Sequence, residues 1–112
     1  MFKKENLRRM DHKIQEIIEI AETHDPEGIA ASVRGMAARE DVTESVSKLS
    51  IPLLAFFGDS DQFFNINQIE VQIAALPNAE CHIVPNTGHD SYLEEPEFVA
   101  NKIADFITTR SC

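Results

Sequence analysis

Two short apolar runs separated by one amphipathic helix constrain this sequence more than any other feature. Residues 53–57 (LLAFF) and 80–84 (ECHIV) read as strands, and residues 66–76 between them place apolar side chains on one helical face. Asn65 and Gln68 form a capping-box pattern where that helix starts. A unit of about thirty residues in this order is typical of a right-handed parallel crossover. The sequence therefore predicts an α/β fold that contains one βαβ unit with two parallel strands.

Helices are predicted on both sides of this unit. Apolar residues recur at helical spacing before and after it. Asp25 is a capping residue, and Pro26 suits the first position of the helix that follows. We predict flanking helices at residues 5–22, 26–39 and 41–49, and a last helix from Pro96 onward.

Charge and composition exclude several classes of function. The net charge of -9 argues against a nucleic-acid partner, which requires a basic surface. No run of 18 apolar residues occurs, so we expect no membrane segment. The cysteines Cys81 and Cys112 have neither metal-binding nor disulfide spacing, which favours reduced thiols and a cytoplasmic location. We expect no cofactor and no metal.

The turn GDSDQ after the first predicted strand raises the question of a calcium site. Asp59, Asp61 and Glu70 occupy positions one, three and twelve of an EF-hand loop. Phe63 and Phe64 then stand where that loop needs an oxygen ligand and a glycine. The turn is therefore a poor match to a calcium loop.

The same turn is one residue away from G-x-S-x-G, the nucleophile elbow of serine hydrolases. Gln62 replaces the second glycine, which lets strand and helix backbones approach closely. Such hydrolases run serine, acid, histidine along the chain, yet no well-placed acid stands between Ser60 and His89, because Glu70 and Glu80 lie on or beside regular elements. Ser60 is thus a poor candidate for a nucleophile.

An acid and a histidine follow the two predicted strands at equivalent places. Asp61 lies just past the first strand, and His89 lies just past the second. Because the carboxyl ends of parallel strands share one edge of the sheet, we expect the two side chains to meet. A carboxylate bound to one imidazole nitrogen orients the ring and leaves the other nitrogen as a base. Gly88 is expected to allow the tight turn that presents His89.

The stretches IPLLAFFGDSD and LPNAECHIVPNTGHDSYLEEPEFVANKIADFI resemble the C-terminal portion of the α/β-hydrolase superfamily. In that family, G-x-x-D carries the triad acid and G-H carries the triad histidine, which match Asp61 and His89 in order and spacing. The upstream DPEGIAASVRGMAAREDVTE resembles the esterase and enol-lactonase-like branch. The resemblance covers roughly residues 20–108. It implies a late cap region at residues 1–50 and a C-terminal βαβα portion of the hydrolase core at residues 51–112.

The family pattern also requires a nucleophile elbow and an oxyanion loop, and neither occurs in these 112 residues. The resemblance implies hydrolysis of small esters or lactones by a Ser-His-Asp mechanism, with Asp61 and His89 as its catalytic acid and histidine. An Asp–His pair without a nucleophile does not transfer an acyl group. We therefore expect that the chain needs complementation by another chain, and whether it is an enzyme by itself stays open.

Two alternatives also stay open. A dehalogenase or a cofactor-free haloperoxidase shares the C-terminal motifs of an esterase. A non-catalytic association or regulatory module is the other alternative, because the first strand would have one unpaired edge. That edge would pair with a second copy of the chain or with the sheet of a partner chain.

Overall fold

The computed structural model describes residues 1–110, so the expectation for Cys112 lies outside the described residues. A short 3₁₀ turn, six α-helices and two strands follow one another along these residues. They are the 3₁₀ turn Lys4–Asn6, α1 Asp11–Glu22, α2 Pro26–Ala38, α3 Thr43–Ser47, β1 Leu53–Gly58, α4 Ile66–Ala75, β2 Ala79–Val84, α5 Ser91–Glu94 and α6 Pro96–Arg110.

Strands β1 and β2 pair in parallel, and α4 forms the crossover between them. The register runs from Leu53 opposite Ala79 to Gly58 opposite Val84. Both strands therefore end at the same edge of the sheet, and the loops that follow them start side by side. The predicted α/β fold with one parallel βαβ unit is confirmed.

Local capping signals determine where two of the helices begin. The Asp25 carboxylate accepts a hydrogen bond from the Glu27 N–H at the start of α2. Asn65 and Gln68 form a complete capping box at the start of α4, with both hydrogen bonds at 2.9 Å. Each side chain satisfies a backbone N–H that the first helical turn leaves without a partner.

The predicted helix at residues 5–22 is wrong in its first third. The chain forms a 3₁₀ turn, and regular α-helix begins only at Asp11. Tertiary contacts explain the difference, because the Lys3 N–H and the Asn6 side chain bind groups that lie some 80 to 90 residues away. Helical periodicity in the sequence contains no information about such distant contacts.

The described residues bury little apolar surface. Five hydrophobic side chains among them are buried, namely Phe2, Met10, Ile69, Val84 and Val99. The side chains of β1 are only half-buried, although most are large and apolar. The radius of gyration is 16.2 Å, whereas a compact chain of this length has a radius near ~13 Å. Helix by helix, the described part of the chain offers no segment long and apolar enough to cross a membrane.

Candidate active site

Asp61 and His89 meet at the edge of the sheet where both strands end. The Oδ2 atom of Asp61 lies 2.8 Å from the Nδ1 atom of His89. The aspartate loop (residues 59–65) follows β1, and the histidine loop (residues 85–90) follows β2. The parallel register brings these loops together, as the sequence predicts.

The second carboxylate oxygen of Asp61 is bound by the backbone of its own loop. Oδ1 accepts hydrogen bonds from the N–H groups of Phe63 at 2.7 Å and Phe64 at 3.3 Å. Burial alone raises the pKa of Asp61, but the hydrogen bonds from His89 and from these two amides outweigh it and hold the pKa below 3.8. Asp61 is therefore ionised at neutral pH.

An ionised carboxylate determines which imidazole nitrogen of His89 carries the proton. A carboxylate only accepts hydrogen bonds, so Nδ1 of His89 must be the donor. Nε2 of the neutral ring then keeps its lone pair. Among residues 1–110 no group forms a hydrogen bond with Nε2, and the imidazole is 45% exposed. The ring can therefore take up a proton from a group that approaches from outside.

Two phenylalanine rings flank the imidazole. The ring centroid of Phe63 lies 5.1 Å from that of His89 in an edge-on arrangement, and the Phe64 ring lies at 6.2 Å. Both rings are exposed, at 62% and 37%. These two rings therefore lie outside the core of the described residues, where the hydrogen bonds to Asp61 hold the backbone of both residues.

Two glycines allow backbones to approach closely here, Gly58 against the histidine loop and Gly88 against the N-terminal residues. A Cβ atom on Gly58 would lie 1.9 Å from the Gly88 carbonyl oxygen, and a Cβ atom on Gly88 would lie 2.2 Å from that of Met1. Neither glycine has a positive φ. The expected role of Gly88 in a tight turn is therefore replaced by close approach of backbones.

Asp59 and Ser60 also join the two loops, but away from the imidazole. The Asp59 carboxylate accepts a hydrogen bond from the Thr87 N–H, and the Ser60 N–H donates to the Thr87 carbonyl at 2.8 Å. The Ser60 hydroxyl donates to Asp59 at 2.9 Å, not to His89. This arrangement agrees with the rejection of Ser60 as a nucleophile.

The EF-hand reading also finds no geometric support. Glu70 lies on α4, and Asp61 uses both oxygens for hydrogen bonds. Over the described range, no three His, Cys, Asp or Glu side chains are grouped so that they could share a metal ion.

An apolar cavity borders the chain neighbour of Asp61, although neither Asp61 nor His89 lines it. Its volume is about 420 Å³. Gln62, next to Asp61, contributes to its wall, as does Met1, whose carbonyl accepts the His89 N–H. The lining residues are Met1, Phe2, Lys4, Leu7, Ile14, Ile17, Ile18 and Gln62.

Sequence reasoning missed two acids that follow His89. Glu94 is fully buried. Asp90 is 8% exposed, and its Oδ2 atom has no hydrogen-bond partner among the described residues. No pattern in the sequence distinguishes Glu94 from the neighbouring Glu95, because burial here depends on contacts with the N-terminal residues.

Comparison with known proteins finds relatives that match this chain over most of its length. No family model matches the chain. A protein of Bacillus subtilis (strain 168) that carries the provisional name 2-succinyl-6-hydroxy-2,4-cyclohexadiene-1-carboxylate synthase is 32% identical over 85 residues, which are 73% of this chain and 30% of that protein. The monoacylglycerol lipase abhd6-B of Xenopus laevis is 26% identical over 72 residues, which are 64% of this chain and 21% of the lipase.

A solved structure matches almost the whole chain. An esterase from Thermogutta terrifontis, with malate bound, superimposes with a TM-score of 0.87 at 28% sequence identity. The match covers 97% of this chain and 40% of the esterase. The chain thus spans less than half the length of each of these relatives. With two parallel strands, flanking helices and these relatives, the chain belongs to the α/β-hydrolase superfamily and corresponds to the C-terminal portion of that fold.

Proposed function

We propose that this chain supplies the acid and the histidine of a Ser-His-Asp hydrolase that acts on small esters or lactones. The observation that carries the proposal is the hydrogen bond between Asp61, whose side chain is largely covered, and exposed His89, which leaves Nε2 of the ring without a partner among residues 1–110. The esterase and lipase relatives support the same chemistry.

In the proposed mechanism, His89 acts first as a base and then as an acid. Its Nε2 atom removes the proton from a serine hydroxyl as that oxygen attacks the substrate carbonyl. The same nitrogen then returns the proton to the departing alkoxide. Asp61 stays ionised throughout and stabilises the imidazolium that forms between these steps. The serine and the oxyanion donors come from polypeptide other than residues 1–110.

The apolar cavity that Gln62 borders favours substrates with an apolar acyl or lactone portion. Its wall is mainly aliphatic and aromatic, with Lys4 and Gln62 as the polar contributors. A volume of about 420 Å³ falls within the range of small-ligand pockets. The exposed rings of Phe63 and Phe64 extend the apolar surface around the imidazole.

A complementation assay tests the proposal. The chain is co-expressed with the part of the structurally matched esterase that precedes the matched region, and the complex is isolated by size-exclusion chromatography. Hydrolysis of p-nitrophenyl butyrate is then followed for the complex and for each piece alone. We expect the complex to hydrolyse the ester much faster than either piece, because only the complex holds serine, histidine and acid together.

Matched histidine variants define the role of His89. His89→Ala is expected to lower the rate of the complex by about 10²–10⁴-fold, the range for loss of a general base. His12→Ala is the control, because this exposed histidine of α1 pairs with Glu16 and lies away from Asp61 and His89 in the chain. A folded complex that hydrolyses the ester no faster than buffer, or a His89→Ala complex with an undiminished rate, would contradict the proposal.

The exposed sheet edge and apolar surface favour a second candidate, a non-catalytic association module. The described part of the chain pairs β1 with β2 alone, and each strand has one unpaired edge there. Light scattering over a range of concentrations tests this candidate, with a second copy or a partner sheet as the expected occupant of the edge. A folded monomer at high concentration would count against self-association.

A further inference from the structure

Glu94, the last residue of α5, holds a carboxylate that is shielded from solvent. Oε1 accepts a hydrogen bond from the Gly88 N–H at 2.8 Å. Oε2 accepts from the Lys3 N–H at 3.1 Å and from the Asn6 side-chain amide at 2.5 Å. Within residues 1–110 no ion pair involves this carboxylate. Three uncharged donors therefore take the place of its hydration.

These donors come from segments that are distant in sequence. Gly88 belongs to the histidine loop, whereas Lys3 and Asn6 belong to the N-terminal segment (residues 1–6). The same segments share three further hydrogen bonds, of which the Lys3 ammonium donates one to the Asn86 side-chain oxygen at 3.1 Å. The Asn6 amide donates to the Asn86 carbonyl at 2.6 Å, and the His89 N–H donates to the Met1 carbonyl at 2.5 Å. Glu94 thus lies where the N-terminal segment meets the histidine loop.

Two consecutive backbone amides of the histidine loop are fixed by this arrangement. Glu94 binds the Gly88 N–H directly, and it holds the N-terminal segment whose Met1 carbonyl binds the His89 N–H. The direction of the His89 side chain follows from the backbone at these two residues. The orientation of the imidazole toward Asp61 therefore depends on Glu94 without any contact between Glu94 and the ring.

The cost of burying a charge makes this placement informative. A carboxylate removed from water is unfavourable unless strong partners replace the water, and apolar side chains often fill such a site at lower cost. Glu94 has hydrogen bonds but no ion pair within the described residues. Its two oxygens fix the backbone geometry of both segments, which an apolar side chain does not do. This explains why an acid stands at this position.

We propose that Glu94 is a positioning residue that holds Gly88 and His89 in the backbone geometry required for the Asp61–His89 hydrogen bond. The catalytic meaning of this role rests on the proposed function of His89. The geometric part is independent of catalysis, because it concerns a hydrogen bond that can be observed in the chain by itself.

Nuclear magnetic resonance on the full chain tests the proposal. The readouts are the His89 Nδ1–H proton resonance at low temperature and the exchange rates of the Gly88 and His89 amide protons. In Glu94→Gln we expect the Nδ1–H resonance to broaden or disappear, and the two amides to exchange about tenfold faster or more, because local opening becomes easier. Glu95→Gln is the control, since Glu95 is adjacent and contacts the same N-terminal region through Arg9 at 3.8 Å.

A second variant covers the case in which Glu94→Gln does not fold. Asn6→Ala removes one donor to Glu94, together with the Asn6 hydrogen bond to the Asn86 carbonyl, and leaves the buried acid in place. It is expected to change the same resonances in the same direction. An unchanged Nδ1–H resonance and unchanged amide exchange in a folded Glu94→Gln chain, or in Asn6→Ala, would overturn the proposal. A different outcome separates the two proposals. If Glu94→Gln loses the Nδ1–H resonance, but the complemented chain with Glu94 intact does not hydrolyse the ester, only the proposed function is overturned.

Discussion

The Asp61 carboxylate and the His89 imidazole are joined by one 2.8 Å hydrogen bond, although 28 positions separate them in the chain. The two partners differ in their exposure to solvent, since the aspartate side chain is 6% exposed and the imidazole is 45% exposed. The carboxylate that orients the ring is therefore largely shielded from water, while the imidazole stays accessible to solvent. This asymmetry suits a histidine that exchanges protons with another molecule.

The lowered pKa of Asp61 predicts a specific dependence of stability on pH. The folded pKa lies below the ordinary value of an aspartate carboxyl, so the ionised carboxylate stabilises the fold above that ordinary value. This contribution is lost as the pH falls through the folded pKa. We expect the free energy of unfolding, measured by urea denaturation, to fall less on acidification in Asp61→Asn than in the unaltered chain. Above pH ~5 the difference between the two proteins should be constant. Identical pH profiles below pH ~4 would contradict this prediction.

The position of Phe63 predicts a spectroscopic effect without a large effect on stability. Its ring meets the edge of the His89 ring and is 62% exposed. In Phe63→Leu we expect the His89 ring protons to shift, because the aromatic ring current is lost, while the His12 resonances stay unchanged. The free energy of unfolding should change by no more than about 0.5 kcal/mol, as for other exposed positions. A large destabilisation would mean that Phe63 belongs to the core after all.

Much of the fold could be predicted because its signals are local. The helix starts at Asp25 and Asn65 depend on a side chain and an amide two or three residues away. The two strands depend on short apolar runs. The meeting of Asp61 and His89 follows from these elements, since parallel strands end at one edge.

The sequence-based predictions fail where contacts between distant residues determine the local structure. The start of α1 moves to Asp11 because Lys3 and Asn6 bind Glu94 and Asn86 across the molecule. Glu94 itself is buried by the same contacts. Both effects lie beyond any pattern within ten or fifteen consecutive residues.

The close contact between the two loops predicts that Gly58 tolerates no side chain. A Cβ atom there would lie 1.9 Å and 2.6 Å from two backbone carbonyl oxygens of the histidine loop. Backbone atoms give way less easily than the end of a side chain, so Gly58→Ala is expected to destabilise the chain by about 2–3 kcal/mol. Gly35→Ala is the matched control, because nothing lies within 4 Å of its Cβ position in α2. That change should stabilise the helix by about 0.5–1 kcal/mol. Equal effects in urea denaturation would contradict the argument.

The capping box of α4 predicts a measurable cost at an exposed position. The Asn65 side chain accepts the Gln68 N–H at 2.9 Å, and the Gln68 side chain accepts the Asn65 N–H at 2.9 Å. Asn65→Ala removes the first of these bonds and is expected to lower the free energy of unfolding by about 1 kcal/mol. Asn67→Ala is the control, because Asn67 is exposed inside the same first turn and alanine favours helix there. Urea denaturation of both variants measures the free energy of unfolding. If Asn65→Ala loses no more of it than Asn67→Ala, the capping box does not stabilise the crossover helix.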